Sequence, residues 1–155
     1  MRIGLAADHA GAPLKAELLG RLADEGYDLV DLGGDGSDPT DDYPDHARLL
    51  GHAVRDGAVE RGILVCGSGV GASVAASKVA GVRAAVCHDT YSARQGVEHD
   101  DLNILCLGGR VIGVDLADAC ARAFLDATFS GKARHARRVH KIAAIEAEEQ
   151  ARRTT

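Results

Sequence analysis

The chain has 155 residues, a formal net charge of −5, 46% hydrophobic and 26% charged residues. These values exclude bulk intrinsic disorder and match one globular domain, expected over residues 1–150 with a flexible tail over residues 151–155. An acidic chain is a poor general partner for nucleic acid, and no apolar run approaches the ~18 residues of a membrane helix, so neither partner is expected.

Strand-length apolar runs alternate with helical patterns along the chain. Arg2–Ala7 reads as a strand and Pro13–Glu25 as a helix, with Pro near its start and Leu14, Leu18, Leu19 and Leu22 on one face. Tyr27–Leu32 is a second strand, and a loop rich in Gly and Asp covers Gly33–Asp42. A helix over Pro44–Asp56 and a strand over Arg61–Cys66 follow. A glycine loop, Gly67–Gly71, then opens a small-residue helix to Lys78. Val82–Cys87 reads as a strand, and Asp89 can cap a helix to about Glu98. The last elements are a strand over Asn103–Leu107 and helices over Val114–Ala127 and Ala133–Gln150. This alternation predicts an α/β fold, a parallel sheet covered on both faces. Ligands of such sheets sit beyond the carboxyl ends of the strands, where strand order reverses. Attention therefore falls on Asp8–Gly11, Cys66–Gly71, Cys87–Asp89 and Gly108–Arg110.

Charge is unevenly spread. Eleven acids face two bases from Asp24 to Glu60, whereas Lys132–Lys141 carries five bases, two histidines and no acid. The second stretch is either a solvated helix face or a patch for a small anion. The four cysteines, Cys66, Cys87, Cys106 and Cys120, match no zinc or CxxC spacing. The N-terminus reads as a strand and not as a secretory signal, so a reducing cytoplasmic compartment is expected.

Four constellations can carry chemistry. Cys66-Gly67-Ser68-Gly69-Val70-Gly71 follows a buried strand and precedes a helix. Its glycines admit a ligand close to the backbone, free N–H groups attract negative charge, and the same environment favours a thiolate. Cys66 is then a base or nucleophile, or else a buried cysteine before a tight turn. The GxGxG pattern lacks both the dinucleotide spacing and the GK[ST] ending of a nucleotide loop. Asp8-His9 can bind hydroxyls and an anion, or cap a helix beside an exposed histidine. His99 is an acid/base candidate that Asp100 can orient, and no HxxxH or paired-carboxylate pattern supports a metal there. Arg134 and Arg138 share a helical face and suit a phosphate, with Arg110 as a third fork. No cofactor motif is visible. The inventory fits cofactor-free proton transfer beside a carbonyl of a small phosphorylated compound.

The segments DHAG at Asp8, DYP at Asp42, ILVCGSGVG at Ile63, AASKVAGVRAAVC at Ala75, YSAR at Tyr91, EHDDLNIL at Glu98, LGGRVIG at Leu107 and RHARRV at Arg134 carry a resemblance. From Arg2 to about Glu148 the chain resembles the B-type ribose-5-phosphate isomerases, in the group that includes galactose-6-phosphate and allose-6-phosphate isomerases. The resemblance implies a three-layer α/β/α Rossmann-like sandwich with a five-stranded parallel sheet. It also implies a homodimer or larger assembly, with active sites between subunits, and aldose–ketose interconversion with no metal or cofactor. Cys66 would be the base that moves a proton between C1 and C2 through a cis-enediol. Gly67, Ser68, Gly69, Val70 and Gly71 would form the anion hole, and His99 would assist ring opening. Asp8, His9 and Tyr43 would line the site, and Arg110, Arg134 and Arg138 would hold the phosphate with His135 nearby. His9, Arg134 and Arg138 would lie across the dimer interface from His99 and Arg110.

Two positions depart from the pattern. Ser68 replaces a frequent threonine and keeps the hydroxyl. Asp100 stands where asparagine is usual. An ionised aspartate only accepts hydrogen bonds, whereas asparagine also donates, and the added charge leaves the preferred sugar open among four-, five- and six-carbon phosphates. A non-catalytic sensor of phosphorylated metabolites and a thiol redox protein are the rivals of other classes.

Overall fold

The computed structural model describes residues 1–153. Its strands are β1 (Arg2–Ala7), β2 (Asp28–Asp31), β3 (Arg61–Cys66), β4 (Ala84–Val86) and β5 (Ile104–Gly108), all parallel in the order β2-β1-β3-β5-β4. The helices are α1 (Ala12–Asp24), α2 (Tyr43–Arg55), α3 (Val70–Ala76), α4 (Thr90–Asp100), α5 (Val114–Asp126) and α6 (Ala133–Arg153).

Side chains alternate between the faces of a strand, and this divides the core in two. Ile3, Leu5 and Ala7 of β1, Ile63 and Val65 of β3, and Leu105 and Leu107 of β5 pack with Leu14, Leu18 and Leu22 of α1, Val97 of α4 and Phe124 of α5. Ala6, Leu64, Cys66, Ile104 and Cys106 turn to the other face, against Leu50 of α2 and Ala72 and Ala76 of α3. The result is the expected three-layer sandwich with a five-stranded parallel sheet. β1, β3 and β5 are covered on both sides, which is why they read as unbroken apolar runs.

Arg61 ties the layers together. Its guanidinium donates to the carbonyls of Phe124 at 2.5 Å, Leu125 at 3.2 Å and Ala127 at 2.8 Å, and lies 5.3 Å from the Phe124 ring centre. These are the orphan carbonyls at the end of α5, which has no glycine stop of its own.

Most element boundaries shift by a residue or two from the sequence reading, and two of the differences are instructive. β4 is shorter than Val82–Cys87 because Arg83 is held from the side: its N–H donates to the Asn103 side chain at 2.8 Å, and its guanidinium reaches Asp101 at 2.6 Å. The last helix runs past Gln150 to Arg153, while Thr154 and Thr155 lie outside the described residues. Helix α6 is also unlike the others, since His135 is its single buried residue and Ile142 and Ile145 are 45% and 63% exposed.

Candidate active site

Chain order reverses between β1 and β3, so the loops after these strands diverge and leave a crevice at their carboxyl ends. A cavity of about 400 Å³ opens there. Asp8 and His9 reach it from the end of β1, Cys66, Gly67, Ser68 and Gly71 from the end of β3, Arg110 from the end of β5, and Tyr43 from the start of α2.

Cys66 is 4% exposed at this cavity. Its Sγ accepts the Gly69 N–H at 3.1 Å. Gly69 has φ +81°, a left-handed conformation that favours glycine, and this turn brings its N–H back onto the sulfur. The Val70 N–H donates to Ser68 Oγ at 3.2 Å. The loop is pinned from the neighbouring strand, because Gly109 N–H donates to the Cys66 carbonyl at 2.8 Å and Arg110 N–H to the Gly67 carbonyl at 3.0 Å. Gly71 makes room for Tyr43: a Cβ there would stand 2.5 Å from the Tyr43 Cζ.

Asp8 is buried and accepts the Gly11 N–H at 2.9 Å, which closes the turn into α1. His9 is bound to Asp41 twice, by its N–H at 2.8 Å and by Nδ1 at 2.7 Å. The Asp41 hydrogen bond, aided by the charges of Asp41 and Asp8, raises the His9 pKa above its ordinary value. The other cysteines differ in kind. Burial pushes the Cys87 thiol up to about 11 and lifts Cys106 and Cys120 as well, so all three behave as small core residues.

A second cluster forms where α4 ends and α6 begins. The His99 and His135 rings lie 4.0 Å apart at 31°. Gln95 Nε2 is 2.9 Å from His99 Nδ1. His135 Nδ1 is 2.6 Å from Ser130 Oγ, and its Nε2 accepts from Arg134 Nε at 3.0 Å. Burial, followed by His99 and the cations Arg134, Lys132 and Arg138, lowers the His135 pKa, so the neutral ring that these bonds require is the favoured form. Arg134, Arg137 and Arg138 are exposed on α6.

The two clusters stand apart in the chain. None of His99, Asp100, Arg134, His135 and Arg138 lines the Cys66 cavity. The resemblance implies His9, Arg134 and Arg138 across an interface from His99 and Arg110; within this chain His9 and Arg110 line one cavity. Because β1, β3 and β5 are neighbours, their ends deliver His9, Cys66 and Arg110 to one place, while Arg134 meets His135 and thereby His99. Asp100 instead faces a larger cleft of about 850 Å³ between the β4 edge and the second half of α6, shared with Arg83, Ile142 and Ile145. That cleft lies at the sheet edge and contains neither Cys66 nor the glycine loop.

Sequence reasoning missed three residues. Asp41 bridges His9 and His46, whose Nε2 is 2.8 Å from Asp41 Oδ2. His88 Nε2 accepts the Gly108 N–H at 2.9 Å and so braces the end of β5. The Cys87–Asp89 segment singled out above contains His88, but no sequence pattern assigns that residue a role.

The fold and site together define a Rossmann-like α/β sandwich with a thiol and a glycine loop at its switch point. The family model described as Ribose/Galactose Isomerase matches residues 3–142, and the chain belongs to this family. It is 44% identical to ribose-5-phosphate isomerase B of Escherichia coli over 94% of this chain and 96% of that one. It is 41% identical to D-erythrulose-4-phosphate isomerase of Pectobacterium atrosepticum, covering 96% and 97%. The structure of ribose-5-phosphate isomerase B from Mycoplasma genitalium with bound ribulose 5-phosphate superposes with a TM-score of 0.89 at 39% identity, covering 95% and 97%.

Proposed function

We propose that the chain is an aldose–ketose isomerase that interconverts ribose 5-phosphate and ribulose 5-phosphate. The observation that carries this reading is Cys66, a thiol at the edge of a cavity with Asp8, His9 and Arg110 beside it. Cys66 takes the proton from C2 of the open-chain aldose, and the C1 carbonyl becomes an enediolate oxygen held by N–H groups of the Gly67–Gly71 loop. The proton of the C2 hydroxyl passes to O1, and Cys66 returns the carbon-bound proton to C1, which leaves a hydroxyl at C1 and the ketone at C2. Each bond change is a proton shift, so no metal or organic cofactor enters the scheme. Asp8 and Tyr43 position hydroxyls, and His9 and Arg110 hold anionic oxygens.

His99, Arg134, His135 and Arg138 do not line the cavity of their own chain. We read them as completing the cavity of a second copy in a homodimer or a tetramer built from such dimers, with His99 opening the furanose ring and the two arginines gripping the phosphate. Exposed Ile142 and Ile145 on α6 suit such an interface. Among the described residues no helix is long and apolar enough to cross a membrane, and four unpaired buried cysteines suit a reducing cytoplasm.

A four- or six-carbon sugar phosphate is the second reading. Similarity to an erythrulose-4-phosphate isomerase favours it. Metal-free kinetics with ribose 5-phosphate, erythrose 4-phosphate, allose 6-phosphate and galactose 6-phosphate decide between them. The highest kcat/KM on ribose 5-phosphate is expected. A higher value on another sugar moves the substrate but keeps the mechanism, and saturable binding without turnover on all four sinks the enzyme reading.

A further inference from the structure

We propose that Asp41 is a positioning residue for the anion-binding histidine: clamped by His46, it fixes His9 with Nδ1–H on the carboxylate and Nε2 left for the ligand phosphate. The proposal deepens the isomerase reading and its kinetic arm rests on it.

Asp41 uses both carboxylate oxygens. Oδ1 accepts from the His9 N–H at 2.8 Å and lies 2.7 Å from His9 Nδ1, while Oδ2 lies 2.8 Å from His46 Nε2. The three side chains are partly shielded, with Asp41 17%, His46 18% and His9 34% exposed. Burial alone would raise the Asp41 carboxyl, yet the hydrogen bonds from His9 and His46 outweigh it and hold it below the usual range. An ionised carboxylate can only accept. His9 must therefore carry its first proton on Nδ1, and His46 must carry one on Nε2.

The consequence falls on the other ring nitrogen. Neutral His9 presents a lone pair at Nε2, which repels a phosphate oxygen. Protonated His9 presents N–H and a positive charge there, which attracts it. The groups facing His9 are Asp8 and Asp38 on its acidic side and Arg110 and Cys66 across the cavity. Asp41 is the one that contacts the ring, and its bond favours the donor form to a pH above the ordinary 6.5. A carboxylate in a loop that contributes nothing else to the cavity thus sets the pH range over which the cavity holds an anion.

The test combines nitrogen-15 NMR of labelled histidines with kinetics. In the wild-type protein, neutral His9 should show a protonated Nδ1 and an unprotonated Nε2, and inorganic phosphate should raise its titration midpoint. In Asp41→Asn the midpoint should fall. The KM for ribose 5-phosphate should rise about tenfold at pH values between the two midpoints, the size of one charge-assisted hydrogen bond. Saturated kcat should change less than about twofold. A wild-type His9 protonated on Nε2 when neutral overturns the proposal, and that measurement needs no variant to fold. So does an unchanged midpoint in Asp41→Asn, or a loss confined to kcat. If the wild-type protein turns over no sugar phosphate, the isomerase reading fails separately, and the tautomer and phosphate-shifted midpoint still decide the role of Asp41.

Discussion

The cluster around Cys66 and the cluster around His99 are built differently, and the pKa values of His9 in the first and His135 in the second shift in opposite directions. The first hangs on strand ends: its loop is tied by backbone hydrogen bonds between the ends of β3 and β5, and a carboxylate raises its histidine, His9. The second joins the end of α4 to the start of a helix with one buried residue, and burial together with neighbouring cations lowers its histidine, His135. The ends of central, doubly covered strands suit a group that a reaction needs held within tenths of an ångström. An exposed helix suits groups that reach towards another molecule. The same residue type is thus pushed towards its charged form in one place and towards its neutral form in the other.

The comparison can be broken most sharply at the thiol. Cys66→Ala should lower kcat by about 10³-fold, within the range of general acid–base catalysis, with little change in melting temperature. Near-normal turnover would remove the thiol-base mechanism. Arg134→Ala or Arg138→Ala should raise the KM for phosphorylated sugars about tenfold or more, and Arg134→Ala should also lower the melting temperature slightly because it strips a hydrogen bond from buried His135. Unchanged affinity would mean that the α6 face serves no phosphate.

Gly71→Ala should force Tyr43 aside, since a Cβ would stand 2.5 Å from Cζ. The expected cost is about 1–3 kcal/mol of stability and a several-fold loss in kcat/KM. Normal activity and melting would show that the tyrosine relaxes freely.

The titration contrast predicts two pH limbs of stability. The raised pKa of His9 stabilises the fold below 6.5, and this is lost as pH rises through its folded value. The lowered pKa of His135 stabilises the fold above 6.5, and this is lost as pH falls through its folded value. Melting temperature scanned from about pH 7 to pH 5 should therefore fall more steeply in the wild-type protein than in His135→Gln. Equal slopes would contradict a neutral His135. The smallest effect is expected from Asp100→Asn, under about threefold in kcat/KM, because Asp100 lies in the other cleft. A larger change would place this carboxylate in the site of a neighbouring copy.

Much of the fold was legible because its signals are local. β3 spans Arg61–Cys66 as its apolar run indicates, and Asp89 caps α4 by accepting the Ser92 N–H at 2.7 Å. The strand ends then pointed to Asp8, His9, Cys66 and Arg110, which do share one cavity. Asp41 was hidden inside a run of acids in a Gly- and Asp-rich loop, where nothing distinguishes it from Asp38 or Asp42. Its partner His9 is 32 residues away. Arg61 was hidden for a similar reason, since the carbonyls it caps lie more than 60 residues along the chain.

The amino-acid sequence by itself determined the alternation of strands and helices, the two-sided burial of the sheet and the glycine loop after Cys66. Each follows from hydrophobic period and backbone freedom within a few residues. Only the tertiary structure decided which histidine is pushed towards its charged form, which carboxylate bonds to it, and that Cys66 and His99 belong to separate clusters of one chain. Those outcomes depend on hydrogen bonds and electrostatic fields between groups that the chain order keeps far apart, and only the packing of loops and helices on the ordered sheet brings them within reach.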